Sequence, residues 1–311
     1  MAIEIEDKFD LDRIKRKFNI SERYIMNSPV KEKDLEEIYN DFQANHGNLE
    51  QVKNEILGIL NSRLDGEVHS IRCRVKDADH LIEKIIRNIN KNPDKYSKIN
   101  IGNYNKIITD LIGVRIIILD KRDWKNIHNS LLTIFRNIPD RYVCGPEDII
   151  SKYDEYKAEA NPKTRAIENL LAGSYHAEKP VVYITSPDDK GIYVDEFLKV
   201  DDSKTKYRSI HYIIRYRFVY FEIQVRTLFE EGWLEFDHRI LYPYDQNNPK
   251  KREYAAILSS LAVAADSLIS FYEESCFQQE QVADEEKIEK SEIEEIQSEE
   301  QNLSGKMKQI F

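Results

Sequence analysis

The sequence predicts an α+β fold, a mixed β-sheet of about five strands flanked by helices. Apolar residues recur at helical spacing through the first 63 residues and again beyond residue 227. Between them lie runs that alternate apolar and polar with period two. Helices, then a sheet, then helices is the order of an α+β chain rather than of a doubly wound one.

In the region 8–63, Leu35, Ile38, Tyr39 and Phe42, then Leu49, Val52, Ile56, Leu57 and Leu60, form helical stripes, broken at Asn45-His46-Gly47. Residues 67–76 alternate as a strand, with Arg72, Arg74 and Lys76 on one face and Ile71, Cys73 and Val75 on the other. Asp77 or Asp79 is placed to cap a helix whose stripe is Leu81, Ile82, Ile85, Ile86 and Ile89, with Lys84 outside it. A central strand at 113–119 follows Asp110, and a helix is predicted at about 123–136. Residues 140–178 form a polar insertion, partly helical around 147–172. Further strands are expected near 180–185, 191–199, 209–218 and 219–226. A helix begins near Thr227 and carries Leu228, Trp233, Phe236 and His238. Another covers 252–276, with Ala256, Leu258, Leu261, Ala264, Leu268 and Phe271 inward. The expected division is a helical region at 1–64, a catalytic domain at 65–245, a C-terminal helix at 246–279 and an acidic, disordered tail at 280–311.

Composition narrows the setting. The 311 residues can bury a sizeable core, and the charged fraction of 33% is above the usual quarter. No apolar run approaches the roughly 20 residues of a membrane span, and the acidic start lacks a signal-peptide core. Cys73, Cys144 and Cys276 have no metal-ligand spacing, which fits a reducing cytoplasm. The net charge of −10 is uneven: ten acids against Lys287 and Lys290 make residues 280–300 −8, leaving −2 for the rest. An anionic ligand is therefore compatible with the body of the chain.

Four charged clusters stand out. Arg72, Arg74, Lys76 and Lys84 suit a triphosphate, which needs donors from several directions. Asp110, with Arg115 five residues on, is a carboxylate at a strand edge, where Mg²⁺ is commonly held. Glu222, Gln224 and Arg226 share one strand face, and Lys204, Lys206, Tyr207, Arg208 and His211 set cations around an aromatic ring. Taken singly, each reads as well as an ordinary solvated face or turn.

Taken in order, Arg74-x-Lys76 with Lys84 downstream, Asp110-Leu-Ile-Gly-Val-Arg115, Tyr207-Arg-Ser-Ile-His211, and Glu222-Ile-Gln-Val-Arg-Thr227 followed by Trp233 and His238 resemble the synthetase domain of RelA/SpoT-type alarmone synthetases over roughly 65–245. The resemblance implies a nucleotidyltransferase-like domain that moves a pyrophosphoryl group from ATP to the 3′-OH of GDP or GTP, giving (p)ppGpp, with Mg²⁺. It puts Arg74, Lys76, Lys84 and Arg115 on ATP, and Asp110 and Glu222 on Mg²⁺, with Glu222 also as base. Tyr207 would stack on the acceptor guanine, and Lys204, Lys206, His211, Gln224, Arg226 and His238 would line or support its pocket. The chain departs from the family pattern in the Asp77-Ala78-Asp79-His80 spacer, where a Ser-rich one is common, and on the acceptor side at Ser203, Lys206, Tyr212 and Glu231; at the last, an Asn is usual. Transfer to tRNA 3′-CCA ends or to adenosine nucleotides therefore stays open beside guanine nucleotides. A catalytically silent nucleotide-binding module is the third reading, and the two carboxylates speak against it. No metal-dependent hydrolase module precedes the domain, which points to a stand-alone synthetase. Assembly into a homo-oligomer through 252–276 and packing of that helix on its own domain are equally open.

Overall fold

The computed structural model describes residues 8–26, 28–136, 174–184, 190–202, 207–217, 219–240, 248–272 and 275. Internal contacts divide the chain into two compact units, Met1–Ala262 and Val263–Phe311.

Helices α1 (Leu11–Phe18), α2 (Arg23–Met26), α3 (Glu32–Ala44) and α4 (His46–Arg63) open the first unit, with the break at Asn45 where the sequence placed it. Asp10 caps α1 by accepting the Arg13 N–H at 2.8 Å, and Asn19 ends it in the left-handed region at φ 51°. Strand β1 (Ser70–Val75) leads into α5 (Ala78–Lys91), whose cap is Asp77 and whose stripe of Leu81, Ile82, Ile85, Ile86 and Ile89 is buried as expected. Short helices α6 (Pro93–Tyr96) and α7 (Tyr104–Ile107) carry the chain to β2 (Ile112–Ile118) and α8 (Trp124–Ile134). Strands β3 (Tyr175–His176), β4 (Val181–Ile184), β5 (Lys199–Asp202), β6 (Ser209–Tyr216) and β7 (Val219–Thr227) follow, then α9 (Leu228–Ile240) and α10 (Pro249–Tyr272). The insertion predicted as partly helical at 147–172 and the acidic 280–300 stretch lie outside the described residues.

The strands form one mixed sheet in the order β1-β2-β7-β6-β4-β5, with β3 also on β6. It is larger than the five strands predicted: β3 has only two residues, and β5 begins where the run expected at 191–199 was to end. The central pair β2–β7 is parallel, and β1–β2 and β6–β7 are antiparallel. The β6–β7 hairpin turns through Arg217 at φ 54°, as two-residue hairpin turns require, and Arg217 is tied to Glu55 of α4 at 3.0 Å. One sheet face, through Val114, Ile116, Tyr212, Ile214, Phe221, Ile223 and Val225, enters the core with Trp124 and Leu131 of α8. At roughly 1.5–3 kcal/mol for each large side chain removed from water, this face fixes the strand register. The other face is left to the polar residues.

Three expectations are corrected. Residues 191–199 are not a strand: Lys190–Tyr193 is a 3₁₀ turn, and Asp195 accepts the Phe197 N–H at 2.8 Å, closing a second turn before β5. Leu261, Ala264, Leu268 and Phe271 of α10 are not inward; all four are exposed. The Trp233 indole N–H donates to the Ala255 carbonyl at 2.8 Å, which turns Ala255 and Ser259 inward and rolls Leu261 out. Finally, α10 is long and apolar enough to cross a membrane by length and hydropathy alone, contrary to the reading of its sequence.

Candidate active site

The polar sheet face is built by register. Arg74 of β1 lies opposite Gly113 of β2, and Gly113 opposite Glu222 of β7. One row over, Arg72, Arg115, Gln224 and His211 line up across β1, β2, β7 and β6. Strand alternation then places Glu222, Gln224 and Arg226 on the same side as Arg74, Arg115 and His211.

The first cluster forms where β1 stops. Lys76 donates its backbone N–H to the Leu111 carbonyl at 2.8 Å, which sets it beside Asp110. Its ammonium lies 3.0 Å from Asp110 Oδ2, and Lys84, projecting from α5, reaches the same oxygen at 2.7 Å. Burial alone raises the Asp110 carboxyl, but Lys84 and Lys76 outweigh it and hold the group well below the usual carboxylate range. Burial pushes Lys76 down despite Asp110. Lys84 resists the same burial because it faces both Asp110 and Glu222, and its pKa rises. The other carboxylate oxygen, Asp110 Oδ1, is buried with no hydrogen-bond partner among the described residues.

The second cluster is a continuous hydrogen-bonded chain. Glu222 Oε1 is 3.1 Å from His211 Nδ1, and Gln224 Nε2 donates to Glu222 Oε2 at 2.6 Å. The Tyr207 hydroxyl meets His211 Nε2 at 2.5 Å and accepts from Arg226 Nη2 at 2.9 Å. Burial raises the Glu222 carboxyl, but His211 and Lys84 more than offset this and its pKa is lowered. The ring of Tyr207 lies edge-on to Tyr183 and His211, with centroids 5.6 and 5.5 Å apart.

The structure therefore brings together Lys76, Lys84, Asp110 and Glu222, and separately Tyr207, His211, Gln224, Arg226 and Glu222. Arg74 is exposed on the β1 edge. Arg115 sits not with the lysines but against α9, where Glu231 accepts from it at 2.7 Å and Glu235 also pairs with it. His238 is on the same helix; desolvation and the guanidiniums of Arg226, Arg115 and Arg74 push its pKa down. Lys204 and Lys206 lie outside the described residues. Sequence reasoning missed Glu231 as a site residue; its only signal was an acid where the family pattern has an amide. It also missed Lys95 and Glu178, whose charges act on the Lys84 and Glu222 ends of the site from segments far apart in the chain. Among the described residues no three His, Cys, Asp or Glu side chains converge as a metal cage. Mg²⁺ does not require one, since it takes one or two carboxylates together with phosphate oxygens. The unpartnered Oδ1 of Asp110 fits that use.

A sheet that gathers cations against two carboxylates has what phosphoryl transfer asks of a protein, which is positioning and electrostatics. A family model described as a region found in RelA / SpoT proteins matches residues 73–247, more than half of the chain. The chain belongs to the RelA/SpoT family and, at that level, is a pyrophosphotransferase. Among solved structures it is similar to small alarmone synthetase 1 from Bacillus subtilis, with 17% identity, a TM-score of 0.44, and coverage of 76% of this chain and 96% of that one. It is similar also to a GTP pyrophosphokinase family protein from Streptococcus pneumoniae, with 15% identity, a TM-score of 0.44, and coverage of 75% and 91%. Small alarmone synthetase 1 has also been crystallised with pppGpp, a structure that matches at 17% identity and a TM-score of 0.42 over 73% of this chain and 90% of that one. Comparison with curated proteins gives no sequence match.

Proposed function

We propose that the chain transfers the β,γ-pyrophosphoryl group of ATP to the 3′-hydroxyl of GDP or GTP, in the cytoplasm and with Mg²⁺. The observation that carries this reading is Asp110, a carboxylate with two lysines on one oxygen and, among the described residues, no partner on the other. Asp110 Oδ1 and Glu222 are the residues that would hold Mg²⁺, which when bound neutralises phosphate charge. Lys76 and Lys84 bind the triphosphate, with Arg74 at its outer end, while Arg115 is held against α9 by Glu231 and Glu235. Glu222 takes the proton of the acceptor hydroxyl. That oxygen bonds to the β-phosphorus, the bond between the β-phosphorus and the α,β-bridging oxygen breaks, and AMP leaves. His211 and Gln224 keep Glu222 oriented while it receives the proton. Tyr207 offers its ring to the acceptor base, beside Lys204, Lys206 and His238.

A second reading has its own support. Among the described residues, the two acceptor-end guanidiniums, Arg115 and Arg226, both face Glu231. This suits an acceptor with little charge near its hydroxyl, such as the terminal adenosine of tRNA. One experiment separates these: γ-labelled ATP and Mg²⁺ with GDP, GTP, ATP or deacylated tRNA. Label on the guanine nucleotides supports the first reading and label on tRNA, with a steep salt dependence, the second. Transfer to none of them, with ATP still bound, refutes both.

A further inference from the structure

We propose that Glu231 is a positioning residue for the transfer site, aiming Arg226 so that a one-way chain of hydrogen bonds through Tyr207 and His211 ends on Glu222. The proposal rests on the reading of Glu222 as the carboxylate that works on the acceptor hydroxyl.

The placement of Glu231 is local chemistry. Thr227 and Glu230 cap the start of α9 reciprocally: the Thr227 N–H donates to Glu230 at 2.9 Å, and the Glu230 N–H donates to the Thr227 hydroxyl at 3.2 Å. This fixes the first helical turn against the end of β7 and directs the next residue, Glu231, back over the sheet. Its carboxylate is buried and divided between two strands, Oε1 accepting from Arg115 at 2.7 Å and Oε2 from Arg226 Nη1 at 2.9 Å.

Arg226 then has a fixed orientation. Its Nε donates to Ser209 Oγ at 3.2 Å, and Nη2 donates to both the Tyr207 oxygen and the Gln224 carbonyl. A guanidinium only donates, so direction propagates from it. The Gln224 carbonyl is taken, which turns its NH₂ to Glu222. The Tyr207 oxygen is an acceptor for Arg226, and the shortest contact open to its single proton is His211 Nε2, at 2.5 Å. Burial keeps that phenol protonated by raising its pKa. A neutral imidazole that accepts at Nε2 carries its proton on Nδ1, and Nδ1 is the atom facing Glu222 at 3.1 Å. Both oxygens of Glu222 are thus met by donors whose direction starts at Arg226, and Glu231 is the carboxylate that holds Arg226 in place.

The test uses the full chain with ¹⁵N-labelled histidine, at a pH where the His211 ring is neutral, its signal identified with His211→Asn. The wild type is expected to show the Nδ1–H tautomer. Glu231→Gln keeps the shape but gives up the charge and one acceptor, and is expected to yield a mixed or Nε2–H tautomer. It should also lower kcat roughly ten- to hundredfold while the KM for ATP changes less than about twofold. Glu235→Gln, which touches Arg115 but not Arg226, is expected to leave the tautomer as it is. An Nε2–H ring in the wild type, or an unchanged tautomer and kcat in Glu231→Gln, overturns the proposal. A tautomer that shifts as expected in a chain that labels no acceptor supports the bond chain and overturns the reaction assigned above.

Discussion

Replacing Asp110 by Asn tests the donor end directly. The carboxylate sits 3.0 Å from Lys76 and 2.7 Å from Lys84, and the three side chains are only 15–23% exposed. Removing one partner of a buried pair costs about 3–5 kcal/mol, because the other charge stays behind without compensation. Here the lysines keep some access to water and Asn keeps an acceptor, so the cost should be about 2–4 kcal/mol, seen as a lower urea midpoint at unchanged slope. The pH dependence has a definite sign. Asp110 is held below its unfolded value, so its contribution is present above about pH 4 and is lost as pH falls through the lower folded value. Asp110→Asn should lack that acid limb. The same change releases Lys76 and Lys84 from their internal partner, so ATP in EDTA should bind roughly tenfold more tightly to the variant, about 1.4 kcal/mol. Transfer with Mg²⁺ should be lost. Equal urea midpoints together with equal metal-free ATP affinity would refute the reasoning, since both follow from one pair of contacts.

Glu222→Gln should abolish transfer, measured as labelled product, with unchanged far-UV circular dichroism; near-normal turnover would remove Glu222 from the chemistry. Tyr207→Ala should raise the acceptor KM far more than the ATP KM, and equal effects would contradict a role confined to the acceptor. His176 is buried with its pKa pushed down to about 4 and Nε2 on the Leu131 carbonyl at 3.1 Å. Its folded value lies below its unfolded one, so stability should be full above about pH 6.5 and fall toward pH 4, by up to about 3 kcal/mol. His176→Phe should flatten that slope in urea titrations between those limits.

What was legible in the sequence was what is local. The α5 stripe and its Asp77 cap, the β6–β7 hairpin and the shared face of Glu222, Gln224 and Arg226 all follow from spacing within a dozen residues. What was not legible depended on partners far along the chain or on side chains that override alternation. Asp195 folds back on the Phe197 N–H and converts an alternating run into two turns. Strand β3 exists because β6 offers it an edge, not because two residues have a period. In α10 several apolar stripes compete, and the one chosen is decided by the Trp233 bond to Ala255. The donor lysines and Asp110 were legible as charges, but their convergence on one oxygen required the Lys76–Leu111 backbone bond that closes the end of β1. Arg115 went to Glu231, 116 positions away, and no spacing rule reaches that far.

These internal pairings bear on how such a site binds highly charged nucleotides at all. Burying uncompensated lysines or arginines costs several kcal/mol each, so a preformed cationic site would be expensive to hold while empty. Here Asp110 compensates Lys76 and Lys84, and Glu231 compensates Arg115 and Arg226. On the function proposed above, a phosphate would take over the lysines while Asp110 turned its other oxygen to a cation, so that each charge would stay paired. The pairing around Glu231 is not built for exchange, because Arg226 is bound through Nε, Nη1 and Nη2 at once and Glu231 is split between two strands. On that reading the first pairing is a placeholder for substrate and the second a fixed part of the frame. This is why Asp110→Asn should tighten metal-free ATP binding, whereas Glu231→Gln should act on turnover and leave ATP binding nearly alone.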